Sequence, residues 1–437
     1  MKNKKETIKT IVLILLVLSS IFLSFIITTY RPDYEIFNGR IEQKDKNKQE
    51  LIKESLSVAT PDIITKVMAE TREEEVVQNA ITKVATVEGI KNKQIIKDIL
   101  TTIADDSSVE TRVRNKSVAE LKNSASEKII MEYSALLDVS IVKPIFFEED
   151  NTNVSLGFNR VLIVKDKPNT ICLYKEGGDS YLQVDLKVDI YNKIIDIFDK
   201  NKENYSKYSL NNKFIYLEDY KENYYIDEYS VEEIDINKLG HQIFLGSNNI
   251  RTSGENELTD GYAILRKSGD MILYINPSNE DAKPTTELIT TTNAINFLAT
   301  TYLNDTNYKI IEATENYTVF QELYKDSLAI GKNGLSRINV QSNANGIYQA
   351  AMSKRQSGTL LSSKKMEDYS VARPEYIINY LYSYTDLKAI EDLVLGYEKT
   401  YDIKNNSFIY TPTWYIKYKG KYQSFSDIKN MVEGKVI

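Results

Sequence analysis

Residues 10–30 hold no charged side chain, and this run constrains everything else the chain can be. As a helix it would be about 31 Å long, against roughly 30 Å of bilayer hydrocarbon. The run therefore predicts one transmembrane helix. Lys2, Lys4, Lys5 and Lys9 precede it against a single Glu6, and basic residues mark the cytoplasmic side. Residues 1–9 are then a cytoplasmic tail, and the bulk of the chain lies outside the cell. A cleaved signal peptide is the alternative, but its apolar core runs for only about 7–15 residues and ends at a small-x-small site. Val17 and Ser19 offer such a site, yet apolar residues continue to Ile27, and residues 28–32 hold no small-x-small pair. No cysteine follows the core, which excludes a lipoprotein. The expectation is an uncleaved anchor.

Ser20, Ser24 and Thr28 recur every four residues and so stack on one face of that helix. Small residues at this spacing let two helix backbones approach closely, and their hydroxyls can bond across the contact. Serine is common in bilayer helices, so the stripe by itself is a modest signal. These three are the candidate helix-contact residues.

The chain has 437 residues, enough for two or three domains with buried cores. Residues 1–9 carry a charge of +3, which leaves −10 on the remainder. An acidic external part gives no footprint for nucleic acid, nor for anionic lipid or wall polymer by charge. Cys172 is the only cysteine, so no intramolecular disulfide forms. That economy, with the Lys, Asn, Ile and Tyr bias, fits export by a low-GC Gram-positive bacterium. Tyrosine, at 31 against one tryptophan, suits half-exposed sheets.

Residues 31–60 read as an extended exit and a polar stalk or helix. Strands are expected at 62–71 and 75–87, with Gly89 as a break. Ile95, Ile96, Ile99, Leu100 and Ile103 share one helical face; Val118, Leu121, Ala125, Ile129 and Met131 follow that spacing loosely. A strand at 158–167 precedes a hairpin over 169–184 that turns at Gly177-Gly178-Asp179. Helices are expected at 188–198 and 231–245, a strand from Lys213, and a strand pair over 258–275. A helix after Pro284 leads into strands at 308–313, 317–324, 334–340 and 346–352. Pro374 sits well at the start of another helix, and strands at 391–401 and 407–422 close the chain. The predicted class is α+β with antiparallel sheets behind a single N-terminal transmembrane helix.

Catalytic chemistry finds little purchase. His241 and Cys172 are one of each in the chain, which nearly forecloses nitrogen or sulfur metal sites. The calcium-loop spacing begun by Asp199, Asn201 and Glu203 lacks its turn glycine and closing glutamate, and that begun by Asp235 and Asn237 lacks its third ligand and ends on Gly246. No glycine-rich phosphate loop is present. Ser362-Ser363-Lys364-Lys365 satisfies Ser-x-x-Lys, the nucleophile signature of penicillin-recognising enzymes, but its companion motifs are missing. It reads as a polar loop. Nothing singles out a pair of carboxylates for a glycosidase. The expectation is no catalytic residue, no metal and no cofactor.

Several stretches taken together resemble one family. Residues 8–34, 158–164, 243–251, 258–277, 390–401 and 410–422, the last with Pro412 and Trp414, are similar in order and spacing to the YycH (WalH) family. Its members are accessory proteins of the WalK (YycG) sensor histidine kinase. The resemblance implies a single-pass membrane protein with three external α+β domains, at 31–150, 151–279 and 280–437, the last similar to the sister protein YycI. It implies no catalytic residues. The partners implied are the kinase WalK/YycG and YycI, met largely through transmembrane helices, with output on cell-wall metabolism genes. The sign of the effect on the kinase stays open, as does a homodimer. An external module binding a wall fragment or peptide, through a surface such as Tyr220–Tyr229, is the second reading; a wall hydrolase or transferase is the third.

Overall fold

Two antiparallel sheets carry the described chain, and the sequence explains which strands lie inside them. A computed structural model describes residues 52–434 except 54–55, 57–58, 69–79, 106–107, 115–117, 119–121, 123–125, 148–155, 212, 219–222, 245–249, 253, 255, 281–284, 302, 304–307 and 368–370. The apolar run 10–30, expected to span the membrane, lies outside the described residues with Ser20, Ser24 and Thr28. Among those described, no helix is long and apolar enough to cross a membrane. Residues 46–437 form one unit.

The first sheet is built from β1 (Ile63–Val67), β2 (Ile81–Ile90), β3 (Ser108–Arg114), β4 (Lys128–Asp138), β5 (Gly157–Val164), β6 (Thr170–Tyr174), β7 (Tyr181–Leu186), β8 (Glu203–Leu210) and β9 (Lys213–Glu218). Their spatial order is β3-β7-β6-β5-β4-β1-β2-β8-β9. Helices α1 (Lys93–Ala104), α2 (Val139–Phe146) and α3 (Ile190–Asn201) belong to the same segment. α1 forms where the apolar spacing predicts it: Ile96, Ile99, Leu100 and Ile103 are buried, and the Asn92 side chain caps the helix by accepting from Ile95 N at 3.1 Å. α3 repeats the device, with Asp189 as cap and Ile190, Tyr191, Ile194 and Phe198 buried.

The second sheet takes β10 (Tyr225–Glu233), β11 (Arg251–Thr252), β12 (Glu257–Thr259), β13 (Ile264–Ser268), β14 (Met271–Ile275), β15 (Tyr308–Ala313), β16 (Tyr317–Tyr324), β17 (Ser327–Gly331), β18 (Arg337–Asn343), β19 (Gly346–Ser353), β20 (Arg355–Lys365), β21 (Ile390–Asp402), β22 (Ser407–Tyr418) and β23 (Lys421–Ser424). The main path runs β11-β12-β13-β14-β19-β18-β16-β17-β21-β22-β10-β20, with β15 beside β16 and β23 beside β22. Only β17 and β21 pair in parallel. Helices α4 (Ile236–Ile243), α5 (Glu287–Ala299), α6 (Pro374–Tyr384) and α7 (Phe425–Val432) flank it, and Pro374 opens α6 as expected.

One apolar core runs through both sheets, from Ile64 and Ile129 to Phe320, Ile338 and Met352, with Ala294, Ile295 and Leu298 of α5 inside it. A second core gathers Ile81, Tyr208, Leu210, Ile215 and Leu217 of the first sheet against Leu393, Trp414 and Ile416 of the second, under Ile377 and Leu381 of α6. Polar contacts cross the same junction. The Tyr382 hydroxyl accepts from Ile81 N at 2.8 Å and donates to Ile81 O at 3.0 Å.

Four local expectations change. Residues 128–131, read loosely as helix, begin β4, where Ile129, Met131 and Tyr133 are buried at strand period between β1 and β5. Gly89 is not a break but lies within β2, because a Cβ there would press on Ile64 O and the Tyr205 ring, both at 3.2 Å. β17 was not foreseen. Ser362–Lys365 belong to β20, an edge strand paired only with β10, which needs no buried face and so keeps a polar sequence. The divisions expected at 150/151 and 279/280 both fall within sheets: β4 pairs β5 across the first, and β14 pairs β19 across the second.

Candidate functional site

Where the two sheets meet, a cleft of about 580 Å³ opens, within the usual size of small-ligand cavities. Its walls come from the start of β1, the residues leading into α1, β4, β5 and β9 on one side, and from β15, the β16–β17 turn, β21, β22 and β23 on the other. Leu217, Leu328, Leu393 and Trp414 give it an apolar wall, while six cations and seven carboxylates face the remainder.

Most of these charges are tied to one another. Lys309 of β15 meets Asp62, just before β1, at 3.1 Å, and Lys213 of β9 meets Asp392 of β21 at 3.3 Å. Both pairs bridge the sheets. Arg160 holds Glu132 at 3.0 Å, and Lys417 stands 3.7 Å from Glu391. The Tyr422 hydroxyl donates to Asp392 at 2.7 Å, and that of Tyr216 donates to Glu132.

Burial and pairing pull these groups in opposite directions. Burial alone would raise the Asp62 carboxyl, but Lys309 and Lys93 outweigh it and hold it below its ordinary value. Asp392 behaves alike, burial being overcome by Lys213 and Tyr422. Asp326, in the β16–β17 turn, is raised by burial, which a hydrogen bond from the Lys93 backbone N–H and the charge of Lys93 only partly offset. Burial brings the ammonium groups of Lys91 and Lys93 down to about 8, against the pull of nearby carboxylates.

The sign for pH follows from proton counts. A lysine lowered from 10.5 to about 8 binds fewer protons folded than unfolded across that window, so its contribution to stability rises with pH there. The slope is at most about 1.4 kcal/mol per pH unit for each lysine. Asp62 and Asp392 act oppositely: their contribution is present above the ordinary carboxylate value and is lost as pH falls through it. Buried tyrosines, raised on folding, pull stability the other way as pH nears 10, so the expectation is one of difference: in urea unfolding from pH 8 to 10 the native protein should gain relative to Lys93→Gln. Parallel pH curves for the two proteins would remove Lys93 from this account.

The residues weighed for catalysis do not assemble. Among the described residues no cluster of His, Cys, Asp and Glu could hold a metal. His241 is exposed on α4, and Cys172 is buried in β6, where burial pushes its thiol up to about 12. Ser362 and Lys365, three apart on a regular stretch of β20, project to opposite faces. The Ser362 hydroxyl donates to Glu228 at 3.1 Å and that of Ser363 to Asp227 at 2.6 Å. Asp199 pairs with Lys202 at 3.1 Å, and Asp235 caps α4. Of the tyrosine run 220–229, residues 225–229 form β10, which lies between β22 and β20 rather than at an edge. Sequence reasoning flagged none of the cleft's charged residues as a site, since they face one another only once the two sheets have met.

The architecture defines a two-sheet α+β protein with a ligand-sized cleft at the sheet junction. Comparison with known proteins gives the family. The model of the YycH protein N-terminal domain matches residues 6–204, and that of the YycH protein C-terminal domain matches residues 212–430. The chain belongs to the YycH family. Its structure is similar to the crystal structure of YycH from Bacillus subtilis, with a TM-score of 0.58 at 15% identity over 85% of this chain and 96% of that one. An uncharacterised Eubacterium rectale protein is far less alike, at TM-score 0.30 and 11% identity over 50% of this chain and 88% of its own. No curated protein matches the sequence. Family membership supports a regulatory rather than catalytic role in the WalK/YycG system, and a membrane-associated protein.

Proposed function

We propose that this chain is a non-catalytic, membrane-anchored regulator of the WalK/YycG sensor histidine kinase, acting together with YycI through contacts between transmembrane helices and so adjusting cell-wall metabolism. The observation that carries the reading is the family match along almost the whole chain, residues 6–204 and 212–430. In this reading residues 10–30 span the membrane, residues 1–9 lie in the cytoplasm, and the two-sheet region is external.

A single anchor suits such a task physically. Packed against kinase helices, it favours one of two pre-existing arrangements by binding it better. A preference of about 1–3 kcal/mol, roughly 5–150-fold, is typical of regulatory coupling. Ser20, Ser24 and Thr28 are the proposed contact face, because their small side chains permit close approach.

Replacing Ser20 and Ser24 together by leucine is therefore expected to weaken association with the kinase in a membrane two-hybrid assay and to shift kinase output in cells. A chain carrying an unrelated transmembrane span should lose both. Full association and unaltered output in the swapped chain would reject helix contact as the mechanism.

A further inference from the structure

We infer that the corner of the cleft formed by Lys91, Lys93 and Tyr133 is a binding site for the anionic group, carboxylate or phosphate, of a small ligand whose apolar part lies along the Trp414 wall. This goes beyond the kinase reading and does not rest on it.

The argument is one of unmatched donors. Of the six cations lining the cleft, Lys309, Lys213, Arg160 and Lys417 each have a carboxylate partner. Among the described residues, Lys91 and Lys93 have none. The Lys93 ammonium, on a residue only 7% exposed, donates to Thr60 Oγ1 at 3.0 Å and Pro61 O at 2.9 Å, both neutral acceptors. An ammonium has three N–H groups, so one is left over. The Lys91 ammonium donates to Tyr216 O and stands 4.9 Å from the centre of the Tyr205 ring. Buried charges are ordinarily paired. The carboxylates that face them, Asp62 and Asp326 toward Lys93 and Glu218, Asp392 and Asp62 toward Lys91, form no ion pair with either ammonium among the described residues; Asp326 bonds instead to the Lys93 backbone N–H, and Asp62 also faces the Tyr133 hydroxyl.

Tyr133 supplies the independent observation. It is 5% exposed, lines the same cleft, and its hydroxyl has no hydrogen-bond partner among the described residues. Buried hydroxyls nearly always find a partner, and one left without invites an explanation. Tyr133 and Lys93 also line a smaller recess together with Asp62 and Lys309. A carboxylate or phosphate oxygen would take up the hydrogens that the protein leaves unused.

The sole tryptophan of the chain, Trp414, lines this cleft and reports on its occupancy. The full-length protein in detergent micelles would be titrated with sodium acetate and, separately, sodium phosphate, at ionic strength held constant with sodium chloride, while tryptophan emission is followed. A saturable change is expected with at least one of them; acetate alone indicates a carboxylate ligand, phosphate alone a phosphate ligand. Tyr133→Phe, which removes only the hydroxyl, and Lys93→Gln should each raise the half-saturating concentration about tenfold. Lys364→Gln, on exposed β20, should leave it unchanged. No saturation with either anion, or wild-type half-saturation in both Tyr133→Phe and Lys93→Gln with native circular dichroism, would overturn the assignment.

Discussion

Replacing Lys399 by methionine is expected to remove about 3–5 kcal/mol of folding stability. Lys399 lies on β21 with its side chain 1% exposed, and its ammonium reaches the two Glu322 oxygens at 2.7 and 3.1 Å. The Tyr410 hydroxyl donates to the same carboxylate at 2.7 Å and is itself 2.6 Å from Ser357 Oγ. Without the ammonium, the Glu322 carboxylate stays buried with a single hydroxyl donor. The loss measures that stranded charge, not the worth of the pair. A double variant, Lys399→Met with Glu322→Leu, should accordingly recover most of it, since well-packed apolar replacements for a buried ion pair are often neutral. Urea unfolding followed by circular dichroism reads both. A small cavity of about 70 Å³ adjoins Glu322. If water entering it rescues the carboxylate, the single variant would lose less than about 1 kcal/mol, and the stranded-charge account would fail.

How far such features could be read from the sequence depends on how local they are. α1 was legible because Ile96, Ile99, Leu100 and Ile103 write a helical period within one segment. The β13–β14 hairpin was legible from Lys267-Ser268-Gly269-Asp270, and α6 from its proline. β4 was not, because the successive apolar residues Ile129, Ile130 and Met131 hide in sequence the alternation that its burial shows. β20 was not, because an edge strand held by backbone bonds to β10 needs little apolar sequence. The cleft was invisible for a stronger reason. Asp62 meets Lys309 and Lys213 meets Asp392 only after the second sheet has closed on the first. Charges that pair across such separations look, in sequence, like any solvated face.

Truncating Trp414 to alanine should also cost about 3–5 kcal/mol, and the reason lies at the same junction. The indole is 5% exposed, and it packs in the core where Ile215 and Leu217 of β9 meet Leu393 of β21 and Ile377 and Leu381 of α6. Its ring nitrogen donates to Ala372 O at 2.8 Å. Alanine would lose both the packing and that bond, leaving a void where the sheets join. Trp414→Phe keeps most of the apolar contact and forgoes the hydrogen bond, so its loss should be nearer 1–2 kcal/mol. Both variants lack tryptophan, so circular dichroism in urea is the measurement. If the alanine variant lost less than about 1 kcal/mol, the core that runs through both sheets and the ion pairs of Asp62 and Asp392 would have to hold this end of the junction without Trp414. The alanine variant would then unfold at markedly lower urea as pH fell through the carboxylate range, because those pairs hold only while their carboxylates are charged. If the core dominates, lowering the pH should shift wild type and variant alike.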